Sequence, residues 1–184
     1  MSFDFMLNKV KILDNHELFG TAEVFFLSLV CPNMEFAGDS LLKIQSLTFT
    51  GVRSGDTLDL AHGKLLYHAD EAPDILNWNL LIFEDDSDIR DTGKKLNAFL
   101  DSPEFKAMDT ALRVILATQG PSVAFWELFK GTGKAIAAIL EFNDDDQIGA
   151  LDTSFSKTFN TLPNHSSTGV GCGSARVSYT LKSA

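Results

Sequence analysis

The chain is poor in what most sequence-readable chemistry requires. Its 184 residues include two cysteines, four histidines and five prolines. Cys31 and Cys172 lie too far apart to form a Cys-x-x-Cys pair, which excludes the zinc-ribbon and dithiol motifs built on one. They read as two buried free thiols, with pairing in the fold as the alternative. No run of about 18 apolar residues occurs, so no membrane-spanning helix is expected. The opening Met1-Ser2-Phe3-Asp4 lacks the basic-then-apolar layout of a secretory signal. That leaves the compartment open: a cytoplasmic chain, one exported without such a signal, or one whose signal was removed. Basic residues are scarce as well: 15 Lys and Arg stand against 25 Asp and Glu, a net charge of -10 and a pI near 4.7. That balance argues against a nucleic-acid partner or an anionic surface bound through phosphate contacts alone. It suits a protein that binds cations.

Apolar residues make up 45% of the chain, with 15 Phe, so a disordered chain is excluded and a real core is expected. The acids are not spread evenly. Residues 84–91 carry five acids and one Arg, a sum of -4, and residues 141–146 carry another -4. These two short stretches hold -8 of the total -10. Like charges this close repel unless solvent or a cation screens them.

The expected fold is mostly β, an antiparallel sandwich with a helical insertion, organised as a single domain over 1–184. Residues 1–93 and 143–184 form the sandwich, and 94–142 the insertion of two or three helices. In the first part Phe3, Phe5 and Leu7 alternate, then Val10 and Ile12 alternate in the other phase. Residues 22–30 form a continuous apolar run with the length of a buried strand, and 64–68 and 75–83 are further strand candidates. From 94 onward the period changes to helical, through Leu96, Phe99, Phe105, Met108 and Leu112. Asp101-Ser102-Pro103-Glu104 reads as a helix start, and Ser122 as the cap of the next helix. Residues 163–174, rich in Pro, Gly and Ser, read as a loop. Residues 175–182 then alternate as a final strand expected to pair with the amino-terminal sheet.

The candidate chemistry is carboxylate-based. An apolar strand runs into Asp86-x-Asp88, with Asp91 three further on and Gly93 closing a loop. Carboxylates two residues apart in a loop after a strand can converge on one ion, and calcium takes six to eight oxygens from such loops. The stretch resembles a C2 domain, a calcium-binding β-sandwich. Upstream, residues 10–26 look like that family's first calcium loop, with Asp14 and Glu23 as ligands and Glu17 a lesser candidate. Asn143-Asp144-Asp145-Asp146-Gln147-Ile148-Gly149 also ends in Asp-x-Ile-Gly, as the family's loop does. The resemblance implies a calcium cofactor held by Asp14, Glu23, Asp86, Asp88, Asp91, Asp144 and Asp146. The helices then interrupt one calcium-loop region whose two halves meet in space. The family's Asp-Pro-Tyr in the first loop is absent, and a helical insert of this length is not ordinary for it.

Other motifs fail on their residues. An EF-hand starting at Asp144 has Ile148 at position five and Phe155 at position twelve. Gly131-Thr132-Gly133-Lys134 has Leu128 where a phosphate loop needs Gly, and Ala135 where it needs Ser or Thr. Gly169, Gly171 and Gly173 follow a polar loop, not the strand of a dinucleotide fingerprint. His16, His62, His68 and His165 form no i, i+4 metal pair, and no nucleophile elbow supports a triad. Phe125, Trp126 and Phe129 are a candidate partner-facing patch, with burial against the sheet as the default. Trp78 reads as core. The expected function is a non-enzymatic, calcium-dependent interaction module docking a protein or membrane partner. A structural or assembly subunit without an ion site comes second, and an enzyme using the acidic cluster third.

Overall fold

Strand β1 (Phe3–Ile12) shows how one wet face shapes a sequence. Phe3, Phe5 and Leu7 point inward, Asp4 and Met6 outward, as a half-buried strand requires. The phase change after Leu7 is a β-bulge: the register with both neighbours slips between Leu7 and Lys9, and Val10 and Ile12 return to the inner face. The computed structural model describes residues 2–17, 20–33, 41–84, 89–142 and 146–183, apart from the side chains of 61, 62 and 89–91.

The remaining strands are β2 (Ala22–Pro32), β3 (Lys43–Val52), β4 (Thr57–Ala69), β5 (Ile75–Glu84), β6 (Gln147–Ser156), β7 (His165–Cys172) and β8 (Ala175–Ser183). Helices α1 (Ile89–Leu100), α2 (Pro103–Gln119) and α3 (Val123–Ile139) lie between β5 and β6 in the chain. Two four-stranded sheets result, ordered β4-β1-β8-β7 and β3-β2-β5-β6, with antiparallel pairing throughout. They pack face to face, as a sandwich does. β8 pairs with β1, as its clean alternation led one to expect.

Two cores follow from this layering. Between the sheets, Phe5 meets Trp78 edge-on at 4.9 Å, and Tyr179 packs against both. The buried indole N–H of Trp78 donates to Ser28 Oγ at 3.0 Å, which satisfies its one polar group. On the outer face of the second sheet, Phe25, Leu27, Leu29, Leu81 and Phe83 meet Phe105, Leu112, Phe125, Phe129 and Ile136 of the helices. β2 and β5 are therefore covered on both faces, which explains their continuous apolar runs. Phe125 and Phe129 are fully buried in this second core and Trp126 packs partly buried against it, so the default of burial holds and the partner-facing alternative does not.

The helix ends are capped as their sequences suggest. Ser102 Oγ accepts the Phe105 N–H at 3.1 Å with Pro103 in the first turn, and Ser122 Oγ accepts the Phe125 N–H at 3.3 Å. Asp109, buried on α2, accepts the Leu42 N–H at 3.0 Å and pairs with Arg113 at 2.9 Å, tying the helix to the start of β3. Gly133 lets α3 approach the sheet: a Cβ there would stand 2.5 Å from Asn79 Oδ1.

Three boundaries differ from the sequence expectation: β4, expected over 64–68, already begins at Thr57. α1 begins at Ile89, so Gly93 lies inside a helix instead of closing a loop. The segment read as a loop over 163–174 contains β7, a sheet edge of small residues whose register breaks between Ser167 and Val170. The positive φ of Gly169 accommodates that break.

Candidate functional site

The strand order sends one set of strand ends to one end of the sandwich: the close of β1, the start of β2, the close of β5, the start of β6 and the β7–β8 turn. Backbone hydrogen bonds knit this end together. The Leu13 N–H and Asp14 N–H donate to Ser174 O at 2.8 and 3.3 Å, and the Ser174 N–H donates to Ile148 O at 2.8 Å. The Glu84 N–H donates to Asp146 O at 2.7 Å, and Glu84 stands opposite Val24, the residue after Glu23. The flanks of both acidic stretches are thus adjacent, although some 60 residues separate them in sequence. The β5–β6 ladder that carries them runs from Ile75↔Ser156 to Phe83↔Gln147, so the meeting is fixed by sheet pairing.

Of the residues expected to hold a cation, Asp14, Glu23 and Asp146 are described, and their backbones all lie at this end. Asp86, Asp88 and Asp144 lie outside the described residues. Asp91 falls in the first turn of α1, and its side chain is not described. An acid there complements the helix dipole, a structural use that competes with ion binding. Asp14 Oδ1 accepts the His16 N–H at 3.0 Å, which closes a local turn with His16 at φ 64°. Glu17 is exposed. Glu141, in the second acidic stretch, is ion-paired with Lys95 of α1 at 2.7 Å. Among the described residues, no three His, Cys, Asp or Glu side chains gather in a way that would hold a metal ion.

Other polar constellations have structural uses. His68 Nδ1 and Asp4 Oδ1 lie 2.7 Å apart as a cross-strand pair on the outer face of the first sheet. Asn79 donates to Asp152 Oδ1 at 2.6 Å, while its own Oδ1, facing Gly133, has no hydrogen-bond partner among the described residues. Cys31 and Cys172 are both free and buried. Burial pushes the Cys172 thiol up to about 11 and the Tyr67 phenol up to about 12. It pushes Cys31 higher still; the Asp109 carboxylate adds to the effect and Arg113 opposes it. A thiol held protonated in this way is a poor nucleophile.

Among the described residues, grooves open on the helical layer. One of about 540 Å³ lies among the helices, walled by Ala98, Phe99, Met108, Ala135 and Ile139 with Lys95 at its edge. Another, of about 400 Å³, runs beside the start of β3 and is lined by Leu42, Lys43, Ile44, Gln45, Leu100 and Phe105. The sequence reading did not single out this second groove. Its signal was the absence of charge from Ile44 to Val52. Among the described residues, no helix is long and apolar enough to cross a membrane.

What the fold defines is a class: an antiparallel two-sheet sandwich with a helical layer on one outer face and an acid-flanked end. No family model matches the chain, and no curated protein matches it significantly.

Proposed function

We propose that the chain is a calcium-responsive interaction module whose acidic end takes up cations and then presents a docking surface to a protein or membrane partner. The observation that supports it is the Glu84–Asp146 backbone hydrogen bond, which sets the flanks of the two acidic stretches side by side. Carboxylates concentrated there repel one another until an ion neutralises them. An ion bound only to the folded chain then stabilises the fold by mass action. The C2 resemblance belongs to the same proposal and rests on Asp86-x-Asp88 directly following β5. In this reading Asp14, Glu23, Asp86, Asp88, Asp91, Asp144 and Asp146 supply the ligands.

Thermal unfolding in EDTA, then in millimolar calcium or magnesium, tests this. At a free ion concentration a hundredfold above Kd, the gain is about 2.7 kcal/mol. For a chain of this size that raises the Tm by roughly 5–10 °C. The rise is expected with calcium and is lost in the Asp86→Asn, Asp88→Asn double variant. An unchanged Tm in both ions sinks the proposal.

A second reading, a structural or assembly subunit without an ion site, draws support from acids already engaged: Asp14 with the His16 N–H, and Glu141 with Lys95. It calls for no response to cations and a dependence of stability on protein concentration or on a partner.

A further inference from the structure

Each sheet of an open sandwich ends in strands with one side of their backbone unpaired, and such edges are ordinarily blunted by charge, proline or bulges. The four edges of this chain are not alike. β4 meets β1 through two register shifts and carries Asp59 and Lys64. β7 is broken between Ser167 and Val170, and β6 carries Asp152. β3 differs. From Lys43 to Phe49 its register with β2 is unbroken, and from Ile44 to Val52 it has neither charge nor proline. Its only charge, Lys43, stands at one end, and the positive φ of Gly51 with its register shift marks the other. Between them lies a stretch of alternating Leu, Phe, Ser and Thr that, among the described residues, pairs with β2 on one side only.

The groove of about 400 Å³ runs along the start of this same edge. Ile44 belongs to the core shared with the helices, whereas Leu47 and Phe49 belong to the core between the sheets. A strand added beside β3 would therefore send every second side chain toward the helical layer, and the one near Ile44 would meet Leu100 and Phe105. Exposed Asp101 and Glu104 flank those two residues in the chain.

We propose that β3 is the acceptor edge for an extended peptide segment of a partner protein, which adds a fifth strand to the second sheet. The incoming segment is uncharged along the paired stretch, places an apolar side chain in the groove and carries a basic residue beside it. Backbone hydrogen bonds supply the affinity and the groove supplies the selection, the division of labour in strand addition. Charge selects the occupant. Exposed Asp101 and Glu104 beside the groove attract a basic residue, and a chain of net charge -10 repels a second copy of itself.

The test is a random-peptide phage library panned against the full chain in EDTA, so its outcome is separable from the calcium reading. Selected peptides are expected to share apolar residues at alternate positions and a basic residue. Synthetic copies should slow amide hydrogen exchange between Ile44 and Phe49. N-methylating one alternate set of peptide amides should abolish binding while the other set is tolerated, because only one set faces the edge. Leu100→Ala should weaken binding about tenfold, an effect typical of an anchoring contact. Failure to select any such peptide overturns the proposal, as does protection that maps away from β3. A dimer in solution with β3 amides protected in the absence of peptide overturns it in favour of a second copy.

Discussion

The first sheet meets water with its outer face, whereas the helices cover the outer face of the second. Both have four strands and antiparallel neighbours throughout. In the first, β1 and β8 alternate, with Val177, Tyr179 and Leu181 inside and Arg176 and Lys182 outside. In the second, β2 buries Phe25 toward the helices and Phe26 toward the other sheet, so no polar phase survives. The lesson concerns layers. A strand's pattern records how many of its faces are dry, and the helical layer is what dries the second face here.

The largest expected effect comes from the core that both sheets share. Trp78 is fully buried, with Phe5 and Tyr179 against its ring. Trp78→Ala leaves a cavity and removes the indole donor from Ser28, a loss of about 3–5 kcal/mol. Urea unfolding measures it. A loss under 1 kcal/mol, of the size seen at surface sites, would show that the two sheets do not depend on their common core.

Gly133→Ala separates the helical layer from the sheet. The added methyl meets Asn79 Oδ1 at 2.5 Å and Leu81 Cδ1 at 3.2 Å, so α3 must shift or Asn79 must turn. The expected loss is about 1–3 kcal/mol. Because the clash is with Asn79, Asn79→Ala in the same chain should recover part of it. A double-mutant cycle with no coupling would place the strain elsewhere.

What could be read from the sequence divides along the same line. β1, β8 and β2 were legible because each has one burial regime along its whole length, and even the β1 bulge appears as a phase change at Leu7. β7 was not, because its Ser and Gly residues sit at an edge where little burial selects them. The start of α1 was hidden as well: acids in a first helical turn look like acids in a loop. Of the candidate site, the charge concentration was plain in the sequence. The adjacency of Glu84 and Asp146 depends on β5 and β6 being sheet neighbours, and the open edge of β3 depends on strand order. Neither property is local in sequence.

Alkaline pH tests both cores together. Cys172 lies between the sheets and Cys31 beneath the helices, and burial holds both thiols protonated. The unfolded chain loses those protons first, around the ordinary value of 9.0, so it binds fewer protons than the fold above that pH. Stability is therefore fully present below about pH 9. It declines as pH climbs toward about 11 for Cys172, by at most about 1.4 kcal/mol per unit per thiol. Cys172→Ala should flatten that slope by its share. An unchanged slope would show that the thiol is as accessible in the fold as in the unfolded chain.

The smallest effect discriminates most finely between the two regions. Ser102 Oγ satisfies the Phe105 N–H at the start of α2, and Ser102→Ala leaves that donor to water, at a cost of about 1 kcal/mol. Phe105 is buried in the helix-facing core, so the lost cap acts on the helical layer and not on the contacts between the sheets. If that layer opens as its own unit, amides of α2 exchange faster while those of β1 and β8 keep their rates. That outcome is expected, because among the described residues the helix-facing core draws its strand residues from the second sheet, and the first sheet is closed by the aromatic core around Trp78. Equal acceleration in β1 would mean that the layer and the sandwich unfold together. The difference between a wet and a covered outer face would then be one of sequence pattern, with no counterpart in local stability.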